Sequence, residues 1–158
     1  MPFFTVTTSF SLNQKEKEKV ATTITKSTIE ELKVAPDKIQ VLLQSKLKED
    51  FSRAGTVLED IDFSSRSRET NYETKESYFV GPSKPEEMII IELDIWQNFS
   101  VDEKAVLGSK ITRFLTKEFG INRDNILILI RDMEPANWIQ SGISGVNQDF
   151  LDLSRTNN

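Results

Sequence analysis

Two hydrophobic periods alternate along this chain, and the alternation occurs twice. From Phe3 to Phe10 the residues are apolar or β-branched, with Thr5, Val6, Thr7 and Thr8 between the aromatics, which predicts a strand. The spacing then becomes helical, with Val20, Ala21, Ile24, Thr28 and Leu32 on one stripe. Ser11, with Gln14 three residues on, predicts the helix N-cap. Val34-Ala35-Pro36 ends the helix, because a residue before proline is pushed out of the helical region. Ile39 to Leu43 predicts a second strand.

The same order returns in the second half. Met88 to Ile91 opens a strand that continues through Leu93 and Ile95. Ser100 and Glu103 form a second capping box, and the helix that follows places Leu107, Ile111, Phe114, Leu115 and Phe119 inward. Gly120 stands where a helix-ending glycine belongs. Ile126 to Ile130 is a continuous apolar run, the pattern of a strand covered on both faces. Ala35-Pro36-Asp37-Lys38-Ile39-Gln40-Val41-Leu42-Leu43-Gln44, shifted by 87 positions, lands on Asn122-Arg123-Asp124-Asn125-Ile126-Leu127-Ile128-Leu129-Ile130-Arg131. Asp50-Phe51-Ser52-Arg53-Ala54-Gly55 lands on Asn137-Trp138-Ile139-Gln140-Ser141-Gly142 in the same register. A repeat of this kind is a statement about architecture.

Each half therefore reads as β-α-β, with parallel strands and a right-handed crossover. The expected class is α+β: two tandem β-α-β repeats forming a four-stranded mixed sheet with two helices on one face. The bare face needs a cover, and oligomerisation is the simplest one. One domain is expected over 1–158, with a first repeat at 1–55, a connecting insert at 56–87, a second repeat at 88–145 and a tail at 146–158. Within the insert, Tyr78-Phe79-Val80 predicts a short added strand. In the tail, Phe150, Leu151 and Leu153 are placed to dock on a neighbour.

Composition narrows the chemistry. The 158 residues are 37% hydrophobic and 28% charged, an ordinary globular balance. A net charge of −5 argues against nucleic acid, which needs clustered Lys and Arg. The run Lys15-Glu16-Lys17-Glu18-Lys19 reads as a solvated helix face. There is no cysteine and no histidine, which removes thiolate nucleophiles, His-based triads and the usual His and Cys metal sites. No metal or cofactor is expected. Met1-Pro2-Phe3-Phe4 has no basic leader and no long apolar stretch, so no membrane partner and a cytoplasmic location are expected.

Neutral-pH acid–base chemistry must then come from an unusual carboxylate, lysine or α-amino group. Pro2 is the candidate. A small second residue usually permits removal of the initiator methionine, which would leave a secondary amine at the head of a strand. A free α-amino group has a pKa of about 8, and burial or a nearby cation lowers it further. Such an amine could move a proton between carbon and oxygen of a keto–enol pair, or attack a carbonyl.

A proline-headed strand, a helix, a parallel strand and an [Asp/Asn]-aromatic-x-x-[Ala/Ser]-Gly turn together resemble the tautomerase superfamily. Ile126 to Gly142 is similar to relatives of macrophage migration inhibitory factor. The Asp50 to Gly55 turn is similar to that of 4-oxalocrotonate tautomerase. The fused length and the long insert resemble cis-3-chloroacrylic acid dehalogenase and malonate semialdehyde decarboxylase. The resemblance implies a homotrimer in which Pro2 is the general base toward a small carbonyl, enol or keto-acid substrate, walled by aromatics such as Phe51 and Trp138.

At the family's arginine positions this chain carries Leu12, Gln40 and Leu127, and none occurs from Ile95 to Phe99. A family lysine falls on Val34, one position from Lys33. The candidate substrate-binding residues are thus Lys33, Gln40, Phe51, Arg131 and Trp138. Gln40 supplies a hydrogen bond without a charge. Counting back from Phe10 and Phe99 matches Pro2 with Ile91, with two extra residues before the first helix. The expected activity is that of a tautomerase or isomerase. Two alternatives stand beside it: a trimer that has lost catalysis and binds or builds, and a dehalogenase- or decarboxylase-type relative.

Overall fold

The computed structural model describes residues 1–156. The expected four-stranded mixed sheet is present. Strand β1 (Phe3–Thr8) leads into helix α1 (Gln14–Leu32) and returns to β2 (Gln40–Ser45), parallel to β1. A hairpin of β3 (Ser52–Arg53) and β4 (Thr56–Val57) and a one-turn helix α2 (Phe63–Arg66) follow. The small β5 (Glu69–Asn71) and β6 (Glu76–Ser77) pair with each other. The second repeat runs through β7 (Ile89–Trp96), α3 (Val101–Phe119) and β8 (Ile126–Met133), with β7 and β8 parallel. It ends in a hairpin of β9 (Ile139–Gln140) and β10 (Ile143–Ser144) and a helix α4 (Phe150–Leu153). The sheet order is β2-β1-β7-β8, with β1 and β7 antiparallel, so the two repeats meet head to tail at the centre.

Alternation along the strands sets the core. Phe4 and Val6 of β1 and Ile89, Ile91, Leu93 and Ile95 of β7 are buried against Val20, Ile24 and Leu32 of α1 and Leu107, Ile111 and Leu115 of α3. Each such side chain stabilises the fold by about 1.5–3 kcal/mol. The helices run antiparallel, tied by Lys19 to Glu118 at 2.6 Å and Lys110 to Glu30 at 3.1 Å. The other sheet face is open. Leu42 (49% exposed), Leu127 (48%) and Leu129 (44%) lie on it, so in the single chain β8 is covered on one face rather than two.

Several local expectations change. The cap of α1 is Asn13, not Ser11: Asn13 Oδ1 accepts from Glu16 N at 2.9 Å, and Glu16 Oε2 accepts from Asn13 N at 2.8 Å. A carboxylate at the third helical position binds the cap N–H better than the amide of Gln14 could. Helix α1 stops at Leu32, before Pro36, because Lys33 turns left-handed at φ 53°. Tyr78-Phe79-Val80 is not a strand; the insert's pairing uses Glu69–Asn71 and Glu76–Ser77. Phe150 docks within its own chain, buried to 3%, while Leu151 and Leu153 stay exposed. The last two tail residues lie outside the described residues.

The repeat is longer and more regular than the sequence suggests. Phe3 pairs with Gln40, and Ile90 pairs with Leu127, so the shift of 87 already holds in the first strands. The counterpart of Pro2 is therefore Ile89, not Ile91, and no residues are extra before α1. Matching Phe10 with Phe99 misleads because the two are not equivalent; Leu12 is the counterpart of Phe99, and all three pack on the same core. At the other end, β4 and α2 repeat as β10 and α4 at the same shift. Residues 56–66, grouped above with the insert, thus belong to the first repeat in form. Both hairpin loops take positive φ at both residues, Ala54 and Gly55 at 50° and 71°, Ser141 and Gly142 at 53° and 75°. That is the two-residue turn whose twist matches its strands.

Each repeat's last helix reaches across to the other repeat. Arg68 Nε donates to Asp124 Oδ2 at 2.7 Å, and its counterpart Arg155 donates to Asp37 Oδ2 at 2.9 Å. The Arg68 end is buried and also holds Glu86, which is 3% exposed at its side chain. Burial alone would raise the Glu86 pKa, but hydrogen bonds from Arg68, Ser64, Asn122 and Asn125 outweigh it and hold the group at about 2. The folded value lies below the ordinary 4.5, so the contribution to stability is complete above pH 4.5. It is lost as pH falls through 4.5 toward 2. A melting midpoint recorded from pH 7 to 2.5 should be flat at first and fall steeply below 4.5; a curve falling instead between pH 7 and 5 contradicts it.

Candidate functional site

Pro2 continues β1 by one residue. It is buried, and its carbonyl oxygen accepts from Gln40 N at 3.2 Å. Extending the register one step sets Pro2 beside Ile39 on one side and Ile95 on the other, and Met1 beside Trp96. Met1 is 6% exposed and fills this end of the sheet. Burial lowers the pKa of its amine to about 6. Burial here favours the neutral amine, which is the state a base requires.

The second repeat's hairpin and α4 fold across this end. The ring of Phe150 lies 5.6 Å from that of Trp96. Gly145 lets the hairpin close on the indole: a Cβ there would lie 2.6 Å from Pro135 O and 2.7 Å from Trp96 Cζ2. Trp96 Nε1 is buried without a hydrogen-bond partner among the described residues. Lys38, two residues before Gln40, is only 2% exposed. Its Nζ donates to Ser154 Oγ at 2.6 Å, stands 3.7 Å from Asp37 Oδ2 and lies 5.5 Å from the Phe150 ring. Arg155 lies just beyond on Asp37, and its hydrogen bonds hold that carboxyl below the usual range.

The structure gathers some of the sequence candidates and scatters others. Gln40, Phe3, Asp94 and Arg131 form one row across the sheet, next to Pro2. Arg131 stands on the open face, 53% exposed at its side chain, and donates to Asp94 Oδ1 at 2.7 Å and Glu92 Oε1 at 2.9 Å. Its charge is already matched by two carboxylates. Trp138 lies half-buried at the Pro2 end, where Gly145 N donates to its carbonyl at 2.8 Å. Lys33 is also at this end, but it is exposed and its Nζ donates to the carbonyl of Glu30. Phe51 is elsewhere. It is buried with Leu58, Phe63 and Met88 past the far end of β2, six strand residues away, roughly 20 Å at strand rise. Within one chain Phe51 is core, not pocket.

Sequence reading missed Lys38 and Arg155. The signal was available: Lys38 falls on Asn125 under the shift, in the same turn before a strand, and Arg155 falls on Arg68. Two cavities among the described residues open away from Pro2. One of about 610 Å³ lies over Arg68, Glu86 and Tyr78, and one of about 480 Å³ lies between Ser9 and Glu59. The Pro2 end is filled by the Met1 side chain, so its chemistry is better read from its polar groups than from cavity size. No group of His, Cys, Asp or Glu that could hold a metal is found among the described residues. No helix among them is long and apolar enough to cross a membrane.

Residues 90–146, the second repeat from β7 to past β10, match the family model described as tautomerase enzyme. No curated protein matches the chain by sequence. Among solved structures, a native fused 4-OT superposes with a TM-score of 0.69 at 12% identity, over 91% of this chain and 96% of its own. A fused 4-OT solved as a symmetric trimer gives 0.67 at 13%, over 90% and 95%. Malonate semialdehyde decarboxylase inhibited by 3-bromopropiolate gives 0.62 at 13%, over 95% of each chain. At such identities the likeness is one of fold.

Proposed function

We propose that this chain, a fused two-repeat member of the tautomerase superfamily, is a tautomerase or isomerase whose base is the amine of Pro2 after loss of Met1. The observation that carries the reading is the end of β1 itself: the amino terminus is buried there, and Pro2 stands in register with Ile39, the chain neighbour of the buried Lys38. Burial disfavours charge on the amine, and a cation at the same end of the sheet favours an anionic oxygen. Loss of Met1 would expose the Pro2 nitrogen and vacate the space that the methionine side chain fills.

The substrate in this reading is a small carbonyl or enol, and a carboxylate on it would suit Lys38 and Arg155. The neutral Pro2 amine takes the proton from oxygen or carbon, and the resulting ammonium returns it to the other atom. Lys38 and the indole N–H of Trp96, which has no partner among the described residues, are donors for the oxygen that carries the developing charge. Asp37 holds Arg155 in place through two hydrogen bonds, at 2.9 and 3.0 Å.

The reading includes a homotrimer, the state in which a fused 4-OT of the same fold was solved. Leu42, Leu127 and Leu129 on the open face would be its cover. One preparation tests both parts. Intact mass gives the fraction lacking Met1, and ketonisation of phenylpyruvate enol or 2-hydroxymuconate is assayed on the same protein. The rate should scale with that fraction, and sedimentation should show three times the 18.1 kDa chain. Equal turnover by protein that fully retains Met1 defeats the Pro2 reading. A stable monomer defeats the trimer.

A further inference from the structure

Among the described residues, the most heavily hydrogen-bonded carboxylate lies at the other end of the sheet, away from Pro2. Glu86 Oε1 accepts from Arg68 Nη2 at 2.5 Å, Asn122 Nδ2 at 2.7 Å and Asn125 Nδ2 at 2.8 Å, and its Oε2 accepts from Arg68 Nη1 at 2.8 Å. None of these donors belongs to the segment that carries Glu86. Arg68 closes the first repeat, whereas Asn122 and Asn125 flank the turn that opens β8. The connecting segment from β5 to β7 delivers a carboxylate into a socket built by the two repeats together.

The socket is itself buried and strongly polar. Arg68 is 6% exposed and Asn125 1%. Asp124 fixes the guanidinium from the second repeat through bonds of 2.7 and 3.1 Å. With Glu86 absent, the donors would face a hole rather than water, and unpaired buried donors are costly. The cavity of about 610 Å³ lined by Tyr78, Phe79, Val80 and Lys84 opens onto this cluster, so the hole would have a route to solvent.

We propose that Arg68, Asn122 and Asn125 form a carboxylate-binding site occupied by the chain's own Glu86, and that the site accepts a free small monocarboxylate once the Glu86 side chain is removed. The site is the counterpart, at the shift of 87, of the Lys38 and Arg155 group at the Pro2 end of the sheet, with Asn125 in place of Lys38 and Arg68 in place of Arg155. The tethered carboxylate keeps this copy closed. The inference rests on geometry alone and stands whether or not Pro2 is a catalyst.

The test is rescue of stability. Glu86→Ala should melt well below the wild type, and formate or acetate should raise its midpoint in a saturable way, recovering at least half of the loss. Chloride at equal ionic strength should not. Glu86→Gln, which keeps the space filled, should be destabilised and should show no formate response beyond that of the wild type. If Glu86→Ala is unfolded in buffer, it is refolded from denaturant in formate and in chloride: folding in formate only supports the proposal. The proposal is overturned by equal effects of the two salts, by equal rescue of Glu86→Gln, or by a Glu86→Ala chain that stays unfolded in both.

Discussion

Pro2→Ala is expected to slow ketonisation by about 10²- to 10⁴-fold, the usual loss when a positioned general base is removed. The comparison is clean because alanine, like proline, is a small second residue that permits loss of Met1. Intact mass then shows whether both proteins carry a free amine. The variant keeps a primary amine, so the loss falls toward the lower end of that range. What alanine lacks is the ring that fixes the nitrogen at the head of β1 and the higher basicity of a secondary amine. The pH–rate profile of the wild type should lose activity on the acid side as the amine gains its proton. Its apparent pKa should lie below the value of about 8 for a free amino terminus, because burial at this end lowers an amine. Equal rates for the two des-Met proteins would end the catalytic assignment.

Arg68→Ala is expected to cost about 3–5 kcal/mol, the price of leaving a buried charge without its partner. The guanidinium holds Glu86 and Asp124 together and also donates to the carbonyl of Ser64 at 2.6 Å. Without it the Glu86 carboxylate, 3% exposed, keeps only neutral donors as partners. A domain of this size has roughly 5–15 kcal/mol in all, so the variant sits near the limit of folding. Arg155→Ala is the control. It removes the residue at the same place in the second repeat, which also bridges to the other repeat's aspartate. Arg155 and Asp37 are 43% and 47% exposed, and a pair in water contributes little. The Arg155→Ala midpoint should stay close to the wild type. Equal losses for the two variants, read by denaturant titration, would show that burial does not govern this network.

The fold was legible because its signals are local. The strand period of Phe3 to Thr8, the helical stripe of Val20, Ile24, Thr28 and Leu32 and the capping box at Ser100 each depend on a few neighbouring residues. The candidate site was legible only in part. Pro2, Gln40 and Trp138 come to one end because each stands at the end of a strand that the repeat already defines. Phe51 lies away from Pro2 within one chain because the first repeat's turn is at the opposite end of an antiparallel pair of repeats. Arg131 stands at the same end of the sheet as Pro2, on the open face, where Glu92 and Asp94 hold it.

The sequence by itself determined the duplication, the order of elements and the class of sheet, since hydrophobic period and turn chemistry act over short spans. Only the tertiary structure decided which polar groups meet. Lys38 finds Ser154, Arg155 finds Asp37 and Glu86 finds Arg68 and Asn125; the first two pairs are more than a hundred residues apart in sequence. The physical reason is the head-to-tail meeting of β1 and β7, which folds each repeat's last hairpin and helix across the first turn of the other. The same packing leaves Arg68 buried and Arg155 in water, a difference that their matching places in the repeat do not reveal.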